Sequence, residues 1–241
     1  DTSYYGKDLY KDFKLKDLLY KLVEIEKLRW LRLHYLYPSE ILEPVIDIIA
    51  SNPQICKYID IPFQHISDNI LQAMKREHNK KSTYDLIELF RKKLPEAAIR
   101  TTMIVGFPNE TDKDFDELLN FVREVKFDRL GAFTYSEEED TAAAKLKDNV
   151  PKKVKKQRLE ALMQLQSEIS YEKNQEKIGK TYKVIIDSEQ DDFYIGRTEF
   201  DSPEVDNEVL ITKNQKLQIG DFYNVKINSA EEFDIYGEVV K

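Results

Sequence analysis

At 241 residues, 41% of them hydrophobic and 34% charged, the chain can bury a sound core as one large domain or two smaller ones and falls outside the disordered range. No run of 18 apolar residues exists, so no membrane-spanning helix is expected, and Asp1-Thr2-Ser3-Tyr4-Tyr5-Gly6 is neither a signal nor a transit peptide. The single cysteine, Cys56, excludes an internal disulfide and a multi-cysteine metal site, His34, His65 and His78 are too scattered for a dedicated zinc site, and a cytoplasmic origin is expected.

Leu15–Lys27 carries apolar residues at helical spacing (Leu15, Leu18, Leu19, Leu22, Val23), the stripe of a helix packed on a sheet. Arg29–Tyr35 predicts a strand ending at Tyr37-Pro38, after which Ser39 caps a helix over Glu40–Ser51 that stops before Asn52-Pro53. Tyr58–Ile61 is a short strand cut off by Pro62. Ser67 and Asp68 open a helix to about His78, and Ser82 caps another to Lys93. Ile99–Val105 is an apolar, β-branched strand turned at Gly106-Phe107-Pro108-Asn109. Thr111 caps a helix through Val125, with Glu110, Asp112 and Asp114 near its positive end. Arg129–Tyr135 is a fourth strand.

Strand–helix alternation without hairpin signals predicts an α/β layer of parallel strands with right-handed crossovers. Four parallel strands with both edges unpaired would be an odd free-standing sheet. Asp1-Thr2-Ser3 looks like the loop after a further strand, so the layer reads as an open, partial βα barrel lacking its first strands. Pro151 opens a long helix to about Gln175, read as a connector. From Lys180 the apolar pattern turns to period two, with strands near Tyr182–Asp187, Phe193–Thr198, Glu208–Thr212, Tyr223–Ala230 and Ile235–Val240. Five short antiparallel strands predict a small OB-like barrel. The expected domains are thus 1–176 and 177–241. The second holds 8 basic and 14 acidic residues and carries most of the net charge of −8. An acidic module suits a basic protein partner and opposes nucleic acid, though solvation alone would also explain it.

In a parallel α/β layer, ligands sit at the C-terminal ends of the strands. Those ends are polar and aromatic here, whereas the strand interiors are apolar: His34 to Ser39, Pro62 to Asp68, Gly106 to Thr111, and Tyr135 to Thr141. One shared pocket at one rim is expected, suited to a zwitterionic ligand. Arg100 could grip a carboxylate with two hydrogen bonds, Gln64 offers donors and acceptors, and Gly106 lets a ligand approach the backbone. Plainer readings stand beside these. His65 and Asp68 could merely cap a helix, Arg76 could be a solvated helix residue, and Glu110 could serve the helix dipole. Cys56 reads as a packed small hydrophobe, His34 as core or ligand contact, and Tyr135-Ser136 as barrel rim.

With these loops assembled, the chain resembles the radical-SAM methylthiotransferases. The resemblance rests on Asp1-Thr2-Ser3-Tyr4-Tyr5-Gly6, Leu33-His34-Tyr35, Asp60 through Asp68, Met74-Lys75-Arg76, Arg100 through Pro108 and Phe133-Thr134-Tyr135-Ser136. The part from Lys180 resembles the TRAM module of that family. Two branches of the family are in question. One modifies a tRNA adenosine; the other adds a methylthio group to the β-carbon of an aspartate in a small-subunit ribosomal protein. Gly196 through Asp206 is similar to the second branch, and the acidic module agrees with it.

The resemblance implies S-adenosyl-L-methionine and two [4Fe-4S] clusters as cofactors of the full-length enzyme. It implies that Gln64, Arg100, Ile104 and Gly106 lie at the S-adenosylmethionine, with His65 and Tyr135 on the substrate side. It implies a basic ribosomal protein as partner of the acidic TRAM module; no membrane partner is expected, and the oligomeric state stays open, with a monomer as the default. A non-catalytic fragment whose TRAM module docks a ribosomal protein is the reading from another class. The family's cluster cysteines are absent from these residues, so no metal is ligated by this chain. The strand motif that in radical-SAM enzymes often reads G-x-I-x-G-x-x-E has Thr102 first and its acid, Glu110, one residue late. Residues 1–241 alone are therefore expected to be inactive: after reconstitution with iron and sulfide, product analysis should find no reductive cleavage of S-adenosylmethionine.

Overall fold

A computed structural model describes residues 1–39, 42–138 and 143–240. In it β1 (Tyr58–Asp60), β2 (Ala98–Val105) and β3 (Arg129–Thr134) pair in parallel in that order. Contacts divide the chain into two units, Asp1–Gln166 and Ser167–Lys241.

In the first unit β2 sets the frame. Alternation along a strand sends successive side chains to opposite faces. Ile99, Thr101, Met103 and Val105 are fully buried on one face, and Arg100, Thr102 and Ile104 are half-buried on the other. The register carries that second face across the sheet, with Asp60 beside Arg100, Gly131 beside Thr102 and Phe133 beside Ile104. On the core side, Phe63, Phe121 and Phe127 pack ring to ring at 5.4–6.3 Å, Phe121 edge-on to the other two, and all three are buried.

The helices are α1 (Lys7–Tyr10), α2 (Leu15–Val23), α3 (Glu43–Ser51), α4 (Asp68–Ala73), α5 (Lys80–Lys93), α6 (Asp112–Val125) and α7 (Lys152–Gln175). Thr111 caps α6 as read, in a reciprocal capping box with Asp114. Ser82 instead lies inside α5. Asn79 is the cap, its Oδ1 accepting the Ser82 N–H at 2.9 Å while Ser82 Oγ accepts the Asn79 N–H at 3.0 Å. Leu42, not Ser39, precedes α3, and Glu40 lies outside the described residues.

α4 is half its expected length. It closes at Met74 because Lys75 enters the left-handed region (φ 56°), donating to Gln72 O while Arg76 N donates to Leu71 O. These paired bonds are those of a Schellman motif.

The expected strand at Arg29–Tyr35 does not form. The segment runs extended beside β1, bonded at Leu31 to Gln54 and Cys56 and at Leu36 to Asp60 O, with a single bridge at Leu31. Between those points the Asp60 carboxylate replaces the ladder, accepting the Tyr35 N–H at 3.1 Å with His34 Nδ1 at 3.2 Å, and Tyr35 turns to φ 55°.

The second unit is a closed barrel of β4 (Thr181–Gln190), β5 (Phe193–Thr198), β6 (Glu208–Thr212), β7 (Phe222–Ala230) and β8 (Asp234–Val239), ordered β4-β5-β6-β8-β7. The expected all-antiparallel pairing fails at one seam, since β6 and β8 are parallel. The reason is parity: an odd number of strands closed into a ring cannot alternate direction throughout. The order is that of an OB-type barrel. Val184, Ile186, Val209, Ile211, Val225, Ile227 and Ile235 fill it. The last turns of α7 group with this unit through Ser170, Asn174 and Gln175, which donate to the backbone carbonyls of residues 230–232. The division by contact thus falls ten residues before the expected boundary at 176.

Gly196 makes close strand packing possible, because a Cβ there would meet Ile185 O at 2.5 Å and Val184 Cγ1 at 2.6 Å. Gly196→Ala should destabilise the barrel by about 1–3 kcal/mol, the usual cost of overpacking. Urea unfolding followed by circular dichroism checks this.

Candidate functional site

At the C-terminal end of the first unit's sheet lies a cavity of about 740 Å³, within the range of small-molecule sites. The second face of β2 floors it with Thr102 and Ile104, β3 adds Phe133, and the turns beyond add Phe107 and Tyr135. Gln64 enters because its backbone extends the sheet past β1: Gln64 N donates to Thr102 O and Gln64 O accepts from Ile104 N, with φ at 70°. Its side-chain amide makes no hydrogen bond among the described residues and is available to a ligand.

Tyr135 is the most telling group. Its hydroxyl is buried without a hydrogen-bond partner among the described residues. Burial raises its pKa, helped by the charges of Glu137 and Asp148. Its ring packs on Phe107 at 5.0 Å and under Lys155 Nζ at 4.9 Å. A buried phenol facing a cavity with no partner fits a polar ligand.

Gly131 contributes by lacking a side chain. It shares the face of Thr102, and a Cβ there would meet nothing within 4 Å. A bulky residue at 131 would occupy space beside the cavity floor.

The structure gathers Gln64, Ile104 and Tyr135 around one cavity and places three other expected residues elsewhere. Arg100 lies on the same face but two residues earlier, where its Nε sits 3.7 Å from the buried Asp60 carboxylate. It does not line the cavity, because alternation puts Thr102 between it and the rim. Gly106 holds the turn (φ 72°), and any Cβ there would collide with the Lys155 side chain. His65 is fully buried; its Nδ1 accepts from Ser67 N at 3.0 Å and its Nε2 stands 3.6 Å from Glu110 Oε2. It is packed beneath the loop and does not reach the cavity. Of the expected rim loop, residues 139–141 lie outside the described residues.

Glu110 is what holds the turn after β2. Its Oε2 accepts from Gly106 N at 2.8 Å and Phe107 N at 3.3 Å, while its Oε1 takes Arg158 Nη1 at 2.8 Å. Arg158 reaches Asp112 with its other nitrogen at 2.7 Å. Sequence reasoning read the helix from Pro151 only as a connector and gave Lys155 and Arg158 no role. Nothing in spacing alone aims them at a turn fifty residues upstream.

Comparison with known proteins agrees with this architecture. Residues 5–122 match the radical SAM superfamily and residues 178–240 match the TRAM domain. The chain thus carries a radical SAM domain and a TRAM domain. More particularly, it is similar to methylthiotransferases. It is 52% identical to the ribosomal protein uS12 methylthiotransferase RimO of Cytophaga hutchinsonii across 100% of this chain and 55% of that protein. Its identity to the protein of the same name from Phocaeicola vulgatus is 51%, over 100% and 56% of the two chains. For that from Christiangramia forsetii the values are 49%, 99% and 53%. The chain spans about half the length of the curated relatives it matches.

The superfamily implies S-adenosylmethionine and an iron–sulfur cluster. The cavity fits the first, with the orphaned Tyr135 hydroxyl and the unbonded Gln64 amide for polar groups and Ile104, Phe107 and Phe133 for apolar ones. These residues do not fit a cluster. Cys56 is buried and single, and among the described residues no three His, Cys, Asp or Glu side chains could hold a metal ion together.

Arg158→Leu removes one partner of a fully buried carboxylate, a change that costs on the order of 3–5 kcal/mol. Thermal unfolding should report a large loss of stability, and Glu110→Gln in the same background should recover part of it by removing the stranded charge.

Proposed function

We propose that the chain is the portion of a radical-SAM methylthiotransferase that holds S-adenosylmethionine and the substrate side chain, in an enzyme adding a methylthio group to the β-carbon of an aspartate in a small-subunit ribosomal protein. The observation that carries this reading is the near-50% identity, over the whole chain, to proteins named for methylthiolation of uS12. The cavity at the sheet's C-terminal rim supports it independently.

In this reading Gln64 and Ile104 hold the cosubstrate, the amide by hydrogen bonds and the isoleucine by apolar contact. Tyr135 faces the substrate side and offers its free hydroxyl. Gly106 keeps the turn close, with Glu110 and Arg158 fixing it. Arg100 acts from below the cavity floor by neutralising Asp60, and His65 positions the loop that carries Gln64. Bound there, S-adenosylmethionine would supply radical chemistry on carbon, and these residues would hold it and the substrate side chain in place. With a single buried cysteine, residues 1–241 offer no set of cluster thiolates, and by themselves they should be inactive.

The acidic second unit, with 14 acidic against 8 basic residues in 177–241, favours a basic protein over tRNA, and work in the cytoplasm fits a ribosomal-protein partner. Among the described residues no helix is long and apolar enough to cross a membrane. Deleting the gene should remove a methylthio group from an aspartate of the small-subunit ribosomal protein, and restoring it should return the group, as read by peptide mass spectrometry. Loss of methylthio-adenosine from tRNA instead, with the ribosomal protein unchanged, would sink this assignment.

A further inference from the structure

Met74-Lys75-Arg76 is so far unused, yet all three residues line the cavity. Arg76 is half-buried there. The other arginines of the first unit that sit partly buried beside carboxylates are matched: Arg91 by Asp128, Arg100 by Asp60, Arg158 by Glu110 and Asp112. Arg76 forms no ion pair among the described residues. Glu138 also lines the cavity. The Arg76 charge is felt nearby: His78, whose pKa burial already lowers, is pushed further the same way by Arg76.

The backbone at this point is not free to drift. The Schellman closure of α4 pins the Arg76 N–H to Leu71 O at 2.9 Å, so the guanidinium is delivered from a fixed origin. Partial desolvation strengthens whatever charge it meets, and a planar fork of donors favours a carboxylate gripped by two bonds. The same cavity carries the groups assigned above to cosubstrate and substrate.

We infer that Arg76 is a specificity-determining residue that binds the side-chain carboxylate of the substrate aspartate and holds the β-carbon beside the cosubstrate. The inference rests on the aspartate reading above and adds the group that distinguishes aspartate from asparagine. A carboxylate could also come from the methionyl end of S-adenosylmethionine, so the test separates the two.

Two peptides of one basic sequence, with a central aspartate or asparagine, are titrated against the intact protein by fluorescence anisotropy. The native protein should bind the aspartate peptide roughly tenfold or more tighter, the range expected of a charged hydrogen bond. Arg76→Gln should bring the ratio close to unity. Arg76→Lys, which keeps charge but loses the fork, should leave an intermediate ratio. Calorimetry on the same proteins should find S-adenosylmethionine affinity little changed. Melting temperatures should match the native value, because the bonds that fix residue 76 are backbone bonds. An Arg76→Gln protein that keeps the native ratio overturns the inference, as does one that loses S-adenosylmethionine affinity while the ratio stands. Equal binding of both peptides by the native protein overturns Arg76 but leaves the ribosomal-protein reading. Binding of neither overturns both.

Discussion

One fully buried carboxylate organises the working end of the first unit. Glu110 accepts two backbone N–H groups of the Gly106-Phe107 turn and one arm of Arg158, so three elements meet on two oxygen atoms. A carboxylate this deep is tolerable only when its lone pairs are filled by donors and its charge is matched. With those conditions met, the turn that carries Phe107 is held rigid, and Phe107 in turn supports the Tyr135 ring. The cavity wall is therefore fixed from behind by charge, while its inner surface stays largely apolar.

Two kinds of polar group are thus kept apart by the same strand. On the face of β2 that leads to the cavity, Arg100 is matched to Asp60 one layer down, and Thr102 and Ile104 come to the rim. Groups whose bonds are complete give the site its shape. Groups left incomplete, the Tyr135 hydroxyl and the Gln64 amide, are what it can offer a ligand. That partition is what a preorganised site requires, since donors and acceptors already satisfied within the protein have little left to offer a ligand.

Much of this was readable from the chain. The apolar, β-branched Ile99–Val105 run, the Thr111 cap and the long helix from 152 follow from local rules and stand in the structure nearly as read. So does the choice of rim, since Gln64, Ile104 and Tyr135 meet there. Non-local effects escaped. Arg29–Tyr35 has strand composition, but the Asp60 side chain takes the bonds a ladder would use. Ser82 has the composition of a cap, but Asn79 three residues earlier competes for the place and wins with a two-way bond. His65 carries the right chemistry for a site and is buried by tertiary packing that no spacing reveals. Gly131 is silent in sequence because its contribution is empty space.

The parity of the small barrel bears on how it is made. β8 bonds to β6 on one side and to β7 on the other, so the ring has no closure until residues 234–239 have been synthesised. Before that moment β6 and β7 present bare edges, the surfaces on which strands of separate chains pair most readily. Closure removes both edges in one step. During translation the unit is thus an all-or-nothing object, open to misassociation until its last strand emerges and sealed as soon as it does.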